Sequence, residues 1–412
     1  MQKCLLFVGG GLETLPGVRL AKAMGHLVAV SDANPKAPCL AAADYALVAS
    51  TYDPDGTVTA AFDFHRNVRP INGVLCMAVD VPHTVAAVAL ALGLPGIPPE
   101  AARLAVDKLA MKERFAADGV PVPWFAAVAG PDALRAVVKE RGRDLVIKPV
   151  DSRGARGVQR LVAATDLDAA FAEAKRHSPS GRVMVEEFLA GPQVSTESLV
   201  IDGVAATPGF SDRNYEFMDR FAPYIIENGG ELPSHLPADV QTAVRELVSR
   251  AAASMGVTRG VVKGDIVVCR GKPYVIELAA RLSGGYFCSH EIPRNTGVDF
   301  VGASIRQSLG EPVTPEELSP RFSRGVAQRW IFAEPGVITD ISGVETARKT
   351  PGVFFLEMRA ALGDVVAPMH CHPARLGVIM AEGQTRAAAI AAAEAAVSAI
   401  VVTTRPSDED HA

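Results

Sequence analysis

Cysteine is sparse and scattered in this chain. Its six residues, Cys4, Cys39, Cys76, Cys269, Cys288 and Cys371, include no pair close enough to form CxxC. That spacing argues against a disulfide framework and a zinc knuckle. An excess of positive charge is missing too: Lys and Arg total 41 against 46 Asp and Glu, a formal charge of −5, and no basic run offsets it. Such a surface is not built to neutralise phosphate backbones, so nucleic acid is not an expected partner. Long apolar runs are also lacking. The longest, Ala387 to Val402, is alanine-rich and interrupted by Glu394, and reads as a packed helix rather than a membrane span. The opening MQKCLLFVGGG turns to glycine after one short apolar run, too short for a signal-peptide core. A cytoplasmic protein without a membrane partner is the expectation.

What is present is a large apolar fraction, 49% of 412 residues, enough for two to three domains at roughly 150 residues each. CLLFV (Cys4–Val8), HLVAV (His26–Val30) and GVLCM (Gly73–Met77) read as strands, separated by helical stretches at 16–24 and 81–92. This alternation predicts βαβ units and a parallel sheet. The loop Gly9-Gly10-Gly11-Leu12-Glu13-Thr14 after the first strand, with Asp32 further on, imitates a dinucleotide fingerprint. It lacks the glycine at the sixth position that close helix packing needs. A tight turn or small-substrate loop is the better reading. Pro95, Pro98 and Pro99 suggest a boundary, and GEPVTPEELSP beyond Leu309 a second. Residues 211–236 read as loop, and SDEDHA as a frayed tail.

The most informative stretch is GVVKGDIVVCRGKPYVIELAARLSGG, in which two β-rich runs flank RGKP and predict an antiparallel hairpin. Asp265 then falls within one residue of facing Glu277. Opposed carboxylates destabilise a sheet unless a cation lies between them, and oxygen-only ligands suit Mg²⁺. Period-two geometry puts Glu277, Ala279 and Arg281 on one face, where an arginine suits a phosphoryl or carboxylate group. The alternative is a surface hairpin whose carboxylates are solvated or paired with lysines. Lys148 ends the run LVIKP, ahead of DSRGARG, whose Gly154 and Gly157 permit a mobile loop able to cover phosphates. Lys108 follows Asp107 at the start of a predicted helix, and VMVEEFLAGPQVSTES reads as a strand and turn.

Taken in order, these pieces resemble the ATP-grasp enzymes, in the biotin carboxylase and glycinamide ribonucleotide synthetase branch, and within it the bacterial L-amino-acid ligases. The motifs are DANP, DK-x₃-K-x₆-GVPVP, LVIKP with its glycine loop, EEFLAG, ENGGELPSHLP, GD-x₁₁-E-x₃-R and the closing RLGVIMAEGQTRAAAIAAAEAAVSAI. The resemblance implies an α/β ATP-grasp fold. Residues 1–100 would form an N-terminal Rossmann-like βαβ domain and 101–310 the ATP-grasp domain, with a small lid over about 115–185. Residues 311–412 would form a C-terminal α+β segment. It further implies an ATP-dependent carboxylate–amine ligase working through an acyl phosphate, with ATP and Mg²⁺ (or Mn²⁺) as cofactors and small-molecule carboxylate and amine substrates. A homodimer is implied by resemblance alone.

Position by position, Lys108 and Lys148 match the lysines on the ATP phosphates. Ser152 to Gly157, with Gly154, match the loop that closes over them. Glu186 and Leu189 match the adenine hinge, and Gln193 stands where an acidic ribose ligand is usual. Asp265 and Glu277 match the metal ligands, and Arg281 the arginine that steadies the transferred phosphoryl group. Ser283, Gly284 and Gly285 match the carboxylate site, with His290 and Glu291 just beyond. Ala279 replaces an Asn that often assists the metal. The alternative reaction is that of an ATP-grasp carboxylase or formyl-phosphate-type transferase acting on bicarbonate or formate. His370 and His372, flanking Cys371, would share a face if they lay on a strand. Asp212, Arg213 and Glu216 are candidate amino-acid contacts, and Trp124, Tyr215, Phe217 and Tyr224 a candidate substrate wall.

Overall fold

The computed structural model describes residues 2–406, so the SDEDHA tail lies outside the described residues. The chain divides into two units, each assembled from separated segments. The first comprises Met1–Val122, Val194–Phe210 and Leu236–Phe322; the second comprises Pro123–Gln193, Ser211–His235 and Ser323–Ala412.

The first unit opens with the predicted parallel sheet. Cys4–Val8 lies between Leu27–Asp32 and Gly73–Leu75, with Tyr45–Val48 outside. CLLFV is buried at every position, as a central parallel strand covered on both faces requires. Helices Leu15–Ala23, Pro38–Ala42 and Pro54–Asn67 connect the strands, and Pro82–Leu92 follows the last of them. The prolines at 95–99 precede a helix the sequence reading missed, Pro99–Val106, in which Pro99 takes the first helical position, where its missing N–H costs nothing. Asp107 ends that helix and caps the next, Lys108–Ala117, accepting the Ala110 N–H at 2.9 Å. The predicted hairpin is Gly260–Cys269 with Lys272–Ala279, flanked by strand Gln193–Ile201 and backed by helix Ala238–Ser254. Val200, Val248, Val262 and Leu278 join one apolar core there.

In the second unit, Phe125–Val128, Val183–Glu187, Leu145–Pro149 and Gln159–Arg160 form an antiparallel sheet in that order, and helices Pro131–Arg141 and Leu167–Arg176 contribute to its apolar core. Strands Gly325–Ile331, Gly377–Gly383 and Val353–Met358 pair further along the chain.

Three local readings are corrected. The stretch 211–236 is not all loop: strand Val204–Arg213 runs into it, and Gly230–Leu232 pairs with its end. Its polar residues hid the strand because tertiary partners neutralise them. Asp212 is buried against Arg386, Ser234 and His235, so it is not an open amino-acid contact. The alanine-rich helix stops at Ala399, and Val401–Arg405 pairs with Gly336–Ser342; β-branched VVTT favours the strand. His370 and His372 lie on no strand. The His370 ring meets Tyr224, whereas the His372 ring takes the Glu227 N–H on Nε2 at 3.4 Å, so the two imidazoles are engaged separately.

Candidate active site

In the first unit the hairpin decides which side chains meet. Arg270 and Gly271 have φ of 50° and 76°, the two-residue turn whose twist suits a hairpin. From the turn the pairs run Cys269 with Lys272 up to Ile266 with Val275, and then Asp265 pairs with Glu277. Ile276 is therefore an extra, bulged residue. Without it Asp265 would oppose Ile276, and Glu277 would project from the other face, because a one-residue slip reverses the faces. The bulge puts both carboxylates on one face.

Their charge is compensated by lysines. Lys263 pairs with Asp265, and Lys108 Nζ lies 3.4 Å from Glu277 Oε1. Ser195 Oγ donates to Asp265 Oδ1 at 3.2 Å. Ala279 sits opposite Lys263. No group of three or more His, Cys, Asp or Glu able to hold a metal exists among the described residues. Two partly exposed carboxylates on one face are instead the donor set of Mg²⁺, which takes one or two carboxylates and completes its shell with water and substrate phosphates. The residues present fit that ion, and the lysines balance the same charge without it.

Beyond the strand, Arg281 forms a partly buried ion pair with Asp80, which follows the carboxyl end of strand Gly73–Leu75, and donates to the Leu282 carbonyl at 3.2 Å. The Ala78 N–H in turn donates to Leu282 O at 3.0 Å. The next residues form a braced turn. Ser283 is buried, and its N–H donates to Glu197 Oε1 at 3.1 Å. The Gly285 N–H donates to Glu13 Oε2 at 2.6 Å. A Cβ on Gly284 would come within 2.8 Å of the same oxygen, so a side chain there would push Glu13 aside. The His290 ring packs edge-on against Tyr286 at 5.0 Å and bonds Ser289 Oγ at 2.8 Å. The loop of Gly9 to Thr14 thus serves as a brace: Glu13 holds Gly285, and the Gly10 N–H is tied to Asp32 at 2.8 Å.

In the second unit Lys148 and Glu186 form a buried ion pair from adjacent strands, each side chain 5% exposed. Lys148 opposes Met184 and Val146 opposes Glu186, so the two charges are diagonal neighbours on one face. The Glu186 side chain, expected only to mark the adenine hinge, is thereby committed to Lys148. Ser152 and Gly154 lie in the turn that follows. Gly157 has φ of 70°, and a Cβ there would approach Pro149 to 3.0 Å and His177 to 3.1 Å, so both backbone and space demand glycine. Leu189 lies in the link after Val183–Glu187, and Gln193 opens the next strand. Tyr224 donates to Glu173 at 3.0 Å rather than standing open as a wall.

Sequence reasoning missed Lys263, Asp80, Glu13 and Glu197. Asp80 and Glu13 had one signal: both follow carboxyl ends of parallel strands, where open α/β sheets bind ligands. Glu197 had none, being one charge inside the strand QVSTESLVI.

The ATP-grasp domain model matches residues 105–285, and the model described as L-amino acid ligase C-terminal domain 2 matches residues 329–405. An uncharacterized protein of Sinorhizobium fredii is 25% identical over 377 residues, which is 89% of this chain and 72% of that protein. A D-alanine–D-alanine ligase of Aromatoleum aromaticum is 32% identical over 214 residues, 50% of this chain and 66% of that enzyme. Among solved structures, an L-amino acid ligase from Bacillus licheniformis superimposes with a TM-score of 0.82 at 20% identity, over 98% of this chain and 99% of that one, a likeness of fold. On these matches the chain carries an ATP-grasp domain at residues 105–285 and an L-amino acid ligase C-terminal domain at residues 329–405, in a fold shared with an L-amino acid ligase.

Proposed function

We propose that the chain joins a small carboxylate to an amine through an acyl phosphate, consuming ATP and releasing ADP and phosphate. The observation that carries this reading is the register of the hairpin, which opposes Asp265 and Glu277 with Arg281 four residues beyond Glu277. Asp265 and Glu277 would hold Mg²⁺, or Mn²⁺ on the same oxygens, which supplies charge neutralisation at the phosphates. Lys108 and Lys148 are assigned to the ATP phosphates, with Ser152, Gly154 and Gly157 closing over them; Glu186, Leu189 and Gln193 are assigned to the nucleoside. Arg281 steadies charge on the transferred phosphoryl group, where a planar fork is worth most. The turn Ser283–Gly284–Gly285 and His290 orient the carboxylate. Catalysis on this reading is positioning and electrostatics, without a protein nucleophile. A supply of ATP fits the expected cytoplasmic location; no helix among the described residues is long and apolar enough to cross a membrane.

The test is ADP and phosphate release from Mg-ATP across single amino acids, amino-acid pairs, bicarbonate and formate. Release that needs one amino acid and rises with a second is the expected result. Release with bicarbonate or formate and no amine would transfer the assignment to a carboxylase or transferase. ATP binding with no release across the panel would overturn it.

A further inference from the structure

Glu197 is a buried carboxylate beside the first unit's site to which the proposed chemistry gives no task. It lies in strand Gln193–Ile201, two residues after Ser195, so both side chains project from the same face. Ser195 bonds Asp265, which places Glu197 on the sheet face that carries the candidate metal ligands, about 7 Å further along the strand. The side chain is wholly buried. Oε1 accepts the Ser283 N–H, and the Ser283 hydroxyl also bonds the carboxylate; Oε2 has no hydrogen-bond partner.

A buried carboxylate with an unused oxygen lowers stability relative to an apolar side chain, so packing alone does not account for it. The groups that face it are Arg281 from the segment after the hairpin, Lys263 from the adjacent strand, and Cys288 from the helical turn beyond Ser283. Burial pushes the Glu197 carboxyl up to about 7, against the opposing pull of Ser283, Arg281 and Lys263. The same burial, with Glu197 beside it, pushes the Cys288 thiol well above its usual range.

Resting on the carboxylate–amine reading above, we propose that Glu197 is a positioning residue whose ionised carboxylate holds the Ser283–Gly285 turn and balances Arg281, so that its charge state governs productive binding of the carboxylate substrate. The turn is held at both ends, by Glu13 on the Gly285 N–H and by Glu197 on the Ser283 N–H. Ionised, Glu197 is acceptor-only and takes both the N–H and the O–H of Ser283. Protonated, it must place a hydrogen of its own among those donors, and it no longer offsets Arg281 and Lys263. The tie at Ser283 slackens while the tie at Gly285 stays.

The test uses the full chain, wild type and Glu197→Gln, with kcat/KM for the carboxylate substrate followed from pH 5.5 to 9. The wild-type profile is expected to rise through an ionisation near neutrality that is absent in Glu197→Gln. In that variant kcat/KM should be roughly 10–100-fold lower at pH 8, the worth of a hydrogen bond to a charged group, with KM for ATP within about twofold. A parallel measurement needs no turnover: the amide resonances of Ser283 and Gly285 are followed by NMR over the same range. Both titrating with one neutral midpoint, lost in Glu197→Gln, supports the proposal. Amides that stay flat, or an unchanged pH profile in the variant, overturn it. If Glu197→Gln does not fold, the wild-type amide titration alone decides. Should the amides titrate while no substrate releases ADP, the coupling stands and the ligase reading falls.

Discussion

Lys148 and Glu186 offer a test in which stability and function separate. Each side chain is 5% exposed, and their charges meet inside the antiparallel sheet of the second unit. Taking two charges out of water is costly, and their attraction returns little more than that cost. Lys148→Met removes this lysine's compensation from the buried Glu186 carboxylate, which should destabilise this unit by about 3 kcal/mol. The double variant Lys148→Met with Glu186→Leu removes both charges. It should sit within about 1 kcal/mol of wild type or above it, since apolar replacements of buried pairs are often neutral or stabilising. The double-mutant cycle therefore yields a coupling of about 3 kcal/mol or more. Urea denaturation followed by tryptophan fluorescence reports the relevant structure. Both tryptophans, Trp124 and Trp330, lie in the second unit, and Trp124 packs against the core that holds Leu145, Ile147, Val183 and Val185. Titration calorimetry with Mg-ATP supplies the functional arm: the double variant should fold yet bind ATP at least about tenfold more weakly, for want of the lysine charge. A single variant costing under about 1 kcal/mol would refute the buried-charge argument. Wild-type ATP affinity in the double variant would refute the nucleotide role of Lys148.

Three further outcomes are expected. Glu277→Gln should lower turnover by about 10²-fold or more, since it weakens one of only two carboxylate ligands at the developing charge; steady-state kinetics over a Mg²⁺ series checks it, and near-normal turnover would remove the metal assignment. Arg281→Lys should be damaging as well, because a point charge does not reproduce the guanidinium fork, and full activity would exclude Arg281 as the clamp. Glu197 makes stability depend on pH. Its folded carboxyl is raised from 4.5 to about 7, so the folded state holds the proton more tightly; the stabilisation is complete below about pH 4.5 and is lost as pH rises through 7. The span corresponds to about 3 kcal/mol, and Glu197→Gln should abolish that slope when denaturation is compared between pH 5 and 8.

The hairpin marks the border between what was legible and what was not. RGKP between two β-rich runs, with Gly271 able to take positive φ, announced the turn and brought Asp265 to within one residue of Glu277. The bulge at Ile276 carried no local signal. Nothing in YVIEL distinguishes the residue that pairs from the residue that is skipped, because both alternatives preserve the hydrogen-bonding ends of the hairpin. That single residue decides whether the two carboxylates share a face. Lys148 was legible as the end of a strand, but its pairing with Glu186 depends on an antiparallel register across 38 positions of chain. The strand ending at Arg213 was missed for a related reason: its charges are neutralised by residues as distant as Arg386.

The sequence alone determined whatever depends on neighbours a few residues apart. It determined the alternation of strand and helix at the start, the helix that begins at Lys108 after Asp107, and a hairpin turning within Arg270–Pro273. These follow from φ/ψ preference, capping and periodicity, which act over one or two turns of chain. Tertiary structure decided which charges face each other: Asp265 with Glu277, Arg281 with Asp80, Glu13 with Gly285, and Glu197 with Ser283, pairs separated by 12, 201, 272 and 86 positions. Such contacts are set by sheet register and burial, and a buried charge is tolerated only where the finished fold delivers its partner.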